Sequence, residues 1–443
     1  MIIDKTTLYD LSIFDQNEEQ SLLHHIDFCK TNNGRTWLEH YLKYPLLSVK
    51  EITERQQLLK RIIEVQEDWP ASISNGSVLM IEKFYESQVG VLPSHANVVN
   101  SGLYKVFNAG DYSLVKYSVS HFIDFLQGMS KIHDLLFAEN NPAALDVLLQ
   151  RIKMLLNKPV AQEMIQYKKS TGVSKQTVLH FGFFIRNNYK QDAQELIEIY
   201  SRLDAFYSMA KAHVKYNFSF PVFTQDIVPH FEAKQLYHPL LLKPVAYDIT
   251  LMPQQNFLFL TGANMAGKST FIKAVGISAY LAHIGMGVPA ENLQLNFLDG
   301  LISNIHVLDN VIKGESYFFN EVQRIRKTIE QITDGRTWLV LIDELFKGTN
   351  VQDAMKCSLA VIEGLRKIDN ALFILSTHLY EISDALKQYS NIQFRYFETE
   401  VKDEQLYFNY NLKEGISNDR LGYLILKKEG VVDLLKKLQS IQK

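Results

Sequence analysis

TGANMAGKST, at residues 261–270, is the stretch of this 443-residue sequence that decides its fold. Residues 262–269 fit the pattern G-x-x-x-x-G-K-[ST], in which a glycine-rich turn points backbone N–H groups at phosphate oxygens. A strand-type run at residues 257–260 precedes the loop and a helical pattern at residues 268–282 follows it, which is the context that such a loop requires. We therefore predict a nucleotide site that contains nine consecutive residues: Gly262, Ala263, Asn264, Met265, Ala266, Gly267, Lys268, Ser269 and Thr270.

Two acidic residues after a second apolar run complete the chemistry that this loop needs. Lys268 is expected to reach the β- and γ-phosphates, and the hydroxyl of Ser269 to help hold Mg²⁺. Asp343 ends the apolar run at residues 338–342 and is expected to hold the same Mg²⁺. Glu344 is expected to polarise the attacking water as general base. The pattern predicts Mg²⁺-dependent hydrolysis of ATP.

A histidine follows a third apolar run. Ser376-Thr377-His378 comes directly after residues 371–375, and the carboxyl end of a strand in such a sheet faces the ligand crevice. We predict that His378 senses the γ-phosphate or holds the water, and we count it as catalytic with Glu344 and Lys268.

The two halves of the chain differ in pattern. Residues 1–222 contain long amphipathic stretches, and in residues 194–217 apolar side chains recur at three- and four-residue steps, which predicts packed helices. In residues 223–443 short apolar runs alternate with helical patterns, as at residues 316–333, which predicts a largely parallel sheet with helices on both faces. Residues 392–398 and 405–410 are expected to add an antiparallel hairpin.

Composition excludes several classes of protein. The formal net charge is −3, so nucleic acid must be bound by a local patch or by wrapping and not by the field of the whole chain. The two cysteines, Cys29 and Cys357, lie far apart, and neither a disulfide framework nor a zinc site is expected. The N-terminus does not have the pattern of a secretory signal, and no apolar run reaches the ~20 residues that span a bilayer. We predict a cytoplasmic protein without membrane contact.

The residues that carry the chemistry resemble those of the MutS family of DNA mismatch-repair ATPases, a branch of the ABC-type P-loop ATPases. The loop is similar to the family's TGPNMGGKST, with Ala263 and Ala266 in place of a proline and a glycine. Further segments resemble family motifs in chain order: His238-Pro239, GVPA at 287–290, GESYFFNE at 314–321 with Tyr317 where threonine is usual, DE at 343–344 followed by GTN at 348–350, and STH at 376–378.

This resemblance implies a helical lever or core domain at residues 1–222 and a P-loop ATPase domain at residues 223–443. It implies ATP and Mg²⁺ as ligands, DNA (duplex, mismatched or branched) as partner, and a homodimer in which Ser316 of one subunit faces ATP held by the other. His238 joins the predicted nucleotide-binding residues, and adenine is expected to contact residues 244–248. A plain helix N-cap needs the same residue type as Ser316, so spacing alone leaves both of its roles open.

The chain departs from the family pattern in its N-terminal half. It resembles a lever domain entered part-way, so the mismatch-reading and connector domains are not expected, nor is direct mismatch reading. We reject Phe84-Tyr85-Glu86 as the family's DNA wedge, because the same triplet form recurs elsewhere in this chain. A reduced DNA clamp is expected at residues 157–189, although a solvated helix face with core aromatics explains the same residues. Those residues are Lys158, Lys168, Lys169, Lys175 and Arg186, with Tyr167, Phe181, Phe183 and Phe184.

Two functions therefore stay open at this point. The first is an ATP-dependent DNA-binding protein of MutS type that hydrolyses ATP at composite dimer sites, in mismatch repair or the processing of branched DNA. The second is a nucleotide-switched protein whose helical levers bind a protein partner, without mismatch recognition. A steep salt dependence of DNA binding discriminates the first from the second.

Overall fold

A computed structural model describes residues 1–168, 173–225, 228–305, 317–402 and 405–417, together with Lys427, Gly430, Val431 and Leu434. The chain forms two compact units. The helical unit consists of Ile26–Tyr44 and Lys50–Lys215, and the α/β unit consists of Met1–His25, Pro45–Val49 and Tyr216–Lys443. The sequence predicts residues 1–25 as part of the helical half, whereas the structure places them in the α/β unit. The predicted boundary at residue 222 stays a prediction.

The helical unit is built from amphipathic helices that bury one face each. The stripe predicted in residues 194–217 is confirmed in the last of these helices, although Val214, which continues the stripe, is 49% exposed. None of the described helices is long and apolar enough to cross a bilayer. In chain order the helices are α3 (Asn32–Lys43), α4 (Val49–Val65), α5 (Asn75–Glu86), α6 (Val98–Phe107), α7 (Ala109–Leu136), α8 (Ala143–Leu156), α9 (Pro159–Gln166), α10 (Lys175–Asn188) and α11 (Lys190–Lys215).

A local cap and a long-range contact fix where α3 begins. Thr31 stands before α3, and its side chain accepts a hydrogen bond from the backbone of Gly34. The carboxylate of Asp204, in α11, accepts hydrogen bonds from the backbone of Lys30 and from both backbone and hydroxyl of Thr31. Because these bonds join residues more than 170 positions apart, they fix the start of α3 on α11.

Phe84 of α5 is fully buried, so its ring belongs to the core. This agrees with the rejection of Phe84-Tyr85-Glu86 as a DNA wedge.

The α/β unit has a main sheet that is parallel except for its last pair. Among the described residues its strand order is β1-β7-β8-β9-β5-β10-β11, and only β10 and β11 pair antiparallel. The predicted hairpin and the mostly parallel sheet are thus confirmed. The strands are β1 (Ile2–Ile3), β5 (Phe257–Thr261), β7 (Gly300–Asn304), β8 (Trp338–Asp343), β9 (Ala371–Ser376), β10 (Ile392–Lys402) and β11 (Gln405–Glu414).

A smaller sheet and six helices complete the described part of this unit. The smaller sheet has the order β2-β6-β3-β4, with strands β2 (Val222–Phe223), β3 (Phe231–Leu236), β4 (Tyr247–Leu251) and β6 (Asn292–Leu295). The helices are α1 (Lys5–Asp10), α2 (Leu22–His25), α12 (Lys268–Ile284), α13 (Tyr317–Ile332), α14 (Val351–Leu365) and α15 (Ser383–Leu386).

Three central strands bring the predicted chemistry to one edge. All residues of β5, β8 and β9 are buried, as expected for parallel strands covered on both faces. Ser376 at the end of β9 pairs with Asp343 of β8 on one side and with Leu260 of β5 on the other. Because parallel strands end at the same edge, the segments that follow them meet there.

Candidate nucleotide site

The loop between β5 and α12 needs glycine at both of its ends. Gly262 has φ of 142° and Gly267 has φ of 107°, in the left-handed region that other residues avoid. A Cβ at Gly262 would lie 3.2 Å from the backbone oxygen of Phe397, in β10. Ala266, which stands where the family has glycine, is outside that region, so its methyl group costs the loop no backbone strain.

Lys268 turns its ammonium group back onto the loop. Its Nζ donates to the backbone oxygens of Gly262 at 2.8 Å and Ala263 at 3.0 Å. The side chain is only 5% exposed. Burial lowers the pKa of Lys268 to about 8, although the charges of Glu344 and Asp343 act in the opposite direction. The protein thus holds a desolvated cation inside the loop, where an anionic group would relieve the cost of burial.

Ser269 and Asp343 bring two oxygen ligands together from different elements. Ser269 Oγ, in the first turn of α12, donates to Asp343 Oδ2 at 2.5 Å. Ser376 Oγ donates to the other carboxylate oxygen, Asp343 Oδ1, and so orients the group. No group of three or more histidine, cysteine or acidic side chains forms a metal cage in the described residues. A hydroxyl and one carboxylate fit Mg²⁺, which usually keeps waters and phosphate oxygens as its remaining ligands.

Glu344 follows β8 with a backbone that few residues adopt. Its φ is 65°, and its N–H donates to the backbone oxygen of Ser376 at 2.9 Å. Burial acts to raise the pKa of Glu344, but the hydrogen bond from His378 and the charges of Lys347 and Lys268 outweigh it, and the pKa is lowered overall. The carboxylate is therefore ionised at neutral pH, as a general base must be. Left-handed backbone at a non-glycine residue is typical of functional sites.

His378 contacts both of the other predicted catalytic side chains. Its Nε2 lies 2.9 Å from Glu344 Oε1 and 3.3 Å from Lys268 Nζ. One nitrogen cannot donate to the carboxylate and accept from the ammonium group at once. Because the carboxylate is closer and ionised, we assign the Nε2 proton to the bond with Glu344. His378 thus orients Glu344.

A cavity of about 410 Å³ opens over the loop. Seven of the nine predicted loop residues line it, with Gly262 and Ala266 outside the wall, and Glu344 lines it too. Val245 and Tyr247 line it as well, within the segment predicted for adenine. The sequence interpretation missed Leu241, Lys243 and Tyr410.

Tyr410 reaches the loop from β11. A Cβ on Gly267 would lie 3.3 Å from Tyr410 Cδ1, so glycine is also what lets this ring approach the loop. Tyr410 stands 143 positions after Gly267 in the chain, and nothing in the local sequence around it signals the approach. Only the pairing of β10 with β5 brings the hairpin to this edge of the sheet.

His238 is not among the residues that line the cavity, and its predicted contact with the nucleotide stays a prediction. Burial lowers the pKa of His238 to about 4, and the charges of Lys273 and His25 act in the same direction. His238 is half-buried, and its imidazole is therefore neutral at pH 7.

Ser316 lies outside the described residues, so its predicted role stays a prediction.

Glu321, five residues after Ser316, joins α13 to the loop that follows β8. Its carboxylate accepts from the backbone N–H groups of Lys347 at 3.1 Å and Gly348 at 3.2 Å. A Cβ on Gly348 would lie 2.8 Å from the backbone nitrogen of Phe318. The loop after β8 is thus fixed against the start of α13, a contact that the sequence interpretation did not predict.

The segment predicted as a reduced DNA clamp contains α9 and α10, and two of its basic side chains bond within the protein. Lys158 forms an ion pair with Asp192. Arg186 donates to the backbone oxygens of Phe84 and Ser87. Phe181 is 2% exposed. Phe181, Lys158 and Arg186 fit the interpretation as a helix face with a core aromatic, whereas Lys168 and Lys175 are exposed. Lys169 lies outside the described residues.

The fold is therefore a helical unit and an α/β unit with a mostly parallel sheet, to which residues 1–25 also belong. A family model described as MutS domain III matches residues 6–334, more than half of the chain, and one described as MutS domain V matches residues 258–439. The chain belongs to the MutS family.

Curated relatives resemble part of the chain. It is 30% identical over 233 residues to the DNA mismatch repair protein MutS of Ehrlichia ruminantium (strain Welgevonden), which covers 52% of this chain and 28% of the relative. It is 31% identical over 241 residues to that of Listeria monocytogenes serotype 4b (strain CLIP80459), covering 53% and 28%. It is 28% identical over 281 residues to the DNA mismatch repair protein MutS of Listeria innocua serovar 6a, which covers 62% of this chain and 31% of the relative. The chain thus spans less than a third of the length of these relatives.

Proposed function

We propose that this protein binds ATP with Mg²⁺ at the β5–α12 loop and hydrolyses it. The observation that carries the proposal is the 2.5 Å contact between Ser269 Oγ and Asp343 Oδ2, which joins the loop to the end of β8. Lys268 and Glu344 line the same cavity. The cavity is lined by a cation, a hydroxyl ligand and an ionised base, and Asp343 is bonded to that hydroxyl. These are the parts that phosphoryl transfer to water needs.

Each of these residues has a distinct task. Lys268 exchanges its contacts with the loop carbonyls for phosphate oxygens, which relieves the cost of its burial. Ser269 and Asp343 would hold Mg²⁺, which would supply charge neutralisation on the phosphates. Glu344 orients the attacking water and accepts its proton. His378 holds the carboxylate of Glu344 in place through the 2.9 Å contact and raises the fraction that is ionised.

The nucleobase end of the cavity is aromatic and aliphatic. Tyr410, Tyr247 and Val245 line it on the side supplied by β11, β4 and the segment before β4. Tyr247 is itself fixed edge-on between Phe271 and Phe397, with ring centroids 5.4 Å and 5.6 Å away. Flat apolar walls of this kind suit a purine ring.

Nucleotide binding is tested by replacing the buried cation. In Lys268→Ala the affinity for a fluorescent ATP analogue should fall at least about 100-fold, because the charge that faces the phosphates is lost. Lys387→Ala is the matched control, since Lys387 is an exposed lysine paired with Asp384 away from the cavity. Equal affinities of Lys268→Ala and wild type would refute the site.

We further propose that the site is completed by a second copy of the chain through Ser316. Ser316→Ala and Lys268→Ala should each hydrolyse ATP poorly when alone. Mixing the two proteins should restore part of the activity, because a mixed dimer contains one site with both residues intact. A mixture with no more activity than its components, although the proteins exchange subunits, argues against a shared site.

We propose DNA as the partner, because the chain belongs to the MutS family and its relatives are DNA mismatch repair proteins. The test is a panel of matched, mismatched and branched duplexes, each with and without ATP and at two salt concentrations. A protein that neutralises several phosphates should lose affinity steeply with salt. Absent or salt-insensitive binding would favour the second function, a nucleotide-switched protein that binds a protein partner. The internal pairing of Lys158 and Arg186 and the net charge of −3 support keeping that alternative.

A further inference from the structure

The N-terminal segment, residues 1–14, is built into the sheet that carries the nucleotide site. β1 extends the main sheet by pairing parallel with the first residues of β7. Thr7, in α1, is fully buried, and its Oγ1 accepts from the backbone N–H of Ser303 at 2.9 Å. Asp10, at the end of α1, is also fully buried. Its Oδ2 accepts from Ser303 Oγ at 2.5 Å and from the backbone N–H of Ile305 at 2.9 Å. Two side chains of α1 therefore hold the carboxyl end of β7.

A second bond network joins the same end of β7 to α13. Arg324 donates to the backbone oxygen of Ser303 at 2.7 Å and to Asn304 Oδ1 at 2.5 Å. It also donates to Asp4 Oδ2 at 2.5 Å, in the residue that caps α1. The N-terminal segment, β7 and α13 thus form one hydrogen-bonded cluster, which we call the β7 anchor: Asp4, Thr7, Asp10, Ser303, Asn304, Ile305 and Arg324.

The β7 anchor lies next to the proposed metal ligand. Asn304 pairs with Ile342 of β8, the residue directly before Asp343. The carboxyl end of β7, which α1 holds, therefore lies directly beside the carboxyl end of β8, where Asp343 and Glu344 stand. A displacement of β7 would be passed to β8 through their shared ladder.

The same segment also contacts the helix that begins at the nucleotide loop. Leu11 is fully buried against α12, where a Cβ on Gly276 would lie 2.6 Å from Leu11 Cδ2. Lys273, also on α12, interacts with acidic side chains of the N-terminal part of the chain and with Asp343 at the end of β8. Burial lowers the pKa of Lys273, and the negative charges of Asp10, Asp15 and Asp343 act against that shift.

We propose that Asp10, supported by Thr7, is a positioning residue for ATP hydrolysis that fixes the end of β7 beside Asp343 without touching the nucleotide. The inference rests on the proposed ATPase function. The fully buried carboxylate of Asp10 accepts two bonds with one oxygen, so its loss leaves Ser303 and Ile305 without that partner. A small shift of a catalytic group changes the rate much more than the affinity for substrate.

The test compares four variants of the full chain. Asp10→Ala removes the anchor, and Asp10→Asn keeps an oxygen that can accept both bonds. Thr7→Val removes the acceptor for the backbone N–H of Ser303 and the donor to Asp4 Oδ1, at nearly constant volume. Asp15→Ala is the matched control, because it removes an acid of the same region that also acts on Lys273 but whose carboxylate bonds to Asn17.

Two readouts separate positioning from stability. In Asp10→Ala we expect kcat to fall roughly 10- to 100-fold, with the Kd for Mg·ATP changed by less than about threefold, as for losses of residues that orient metal ligands. Asp10→Asn should recover kcat to within about threefold of wild type, and Thr7→Val should show a smaller fall than Asp10→Ala. Hydrogen exchange of the peptide that covers residues 300–305 should become at least about tenfold faster in Asp10→Ala, without nucleotide present.

The outcomes distinguish this proposal from the function on which it rests. Folded Asp10→Ala and Thr7→Val proteins with wild-type kcat overturn the proposal, as does an equal fall in Asp15→Ala. Should Asp10→Ala not fold, Thr7→Val decides by the same criteria. Wild-type protein that hydrolyses no ATP overturns the proposed function and the kinetic half of this inference, and hydrogen exchange still decides whether α1 anchors β7.

Discussion

Removal of the His378 side chain is expected to slow ATP hydrolysis and leave ATP binding almost unchanged. His378 does not line the cavity, and its contacts are the 2.9 Å bond to Glu344 and the 3.3 Å approach to Lys268. A hydrogen bond to an ionised group contributes about 1.5–3 kcal/mol. The Glu344 and His378 side chains are 25% and 34% exposed, so we take the lower end of that range. A loss of about 2 kcal/mol expressed in the transition state lowers kcat roughly thirtyfold.

The pH dependence gives this prediction a second readout with a defined sign. The bond from His378 and the charges of Lys347 and Lys268 overcome burial and hold the pKa of Glu344 below its ordinary value. In wild type the base form therefore persists well below neutral pH. In His378→Ala burial is less opposed, the pKa of Glu344 rises, and the acidic limb of the kcat profile moves to higher pH.

The assay is steady-state ATP hydrolysis from pH 5 to pH 9, with binding of an ATP analogue measured in parallel. His378→Gln is the control, because its amide can still donate to Glu344 and should recover part of the rate. Wild-type kcat and an unmoved acidic limb in His378→Ala would refute the assignment of the Nε2 proton to Glu344.

Three further predictions test the surroundings of the site. Gly348→Ala places a methyl group 2.8 Å from the backbone of Phe318 and should destabilise the protein by about 1–3 kcal/mol in thermal unfolding, whereas Gly364→Ala, with nothing within 4 Å, should not destabilise it. The pKa of Lys268 is lowered to about 8 in the folded protein, so between about pH 8 and 10.5 the unfolded chain binds a proton that the folded chain has lost. The free energy of unfolding of wild type should therefore rise by up to about 3 kcal/mol relative to Lys268→Met as pH rises through that window. A difference that stays constant with pH contradicts the lowered pKa. In Asp343→Asn the Mg²⁺ concentration that half-saturates ATP binding should rise at least about tenfold in titrations with the metal. An unchanged half-saturating concentration would exclude Asp343 as a ligand.

The part of the site that follows from sequence is the part carried by consecutive residues. The β5 run, the loop and the helix after it form one local unit, and their residue types are dictated by the positive φ at Gly262 and Gly267. Asp343 follows the same logic, since it ends a fully buried strand. Local patterns therefore predict these strands and this helix where the structure has them, and the roles of the residues stay predictions.

The rest depends on contacts between distant segments, which periodicity does not encode. β1 pairs with β7 almost 300 residues later, although residues 1–25 precede a helical half and were grouped with it. Tyr410 reaches the loop only because its hairpin adds to the sheet beside β5. Lys158 and Arg186 suggested a phosphate surface by composition alone, but partners in other helices already neutralise or bind them.

The central claim is that a triphosphate lies against the loop ending at Lys268 and that water oriented by Glu344 cleaves its terminal phosphate. The most direct measurement is ATP binding and steady-state hydrolysis by Glu344→Gln on one protein sample. We expect a Kd for Mg·ATP within about threefold of wild type and a kcat at least about 100-fold lower, since the base alone is removed. Turnover at the wild-type rate would contradict the claim.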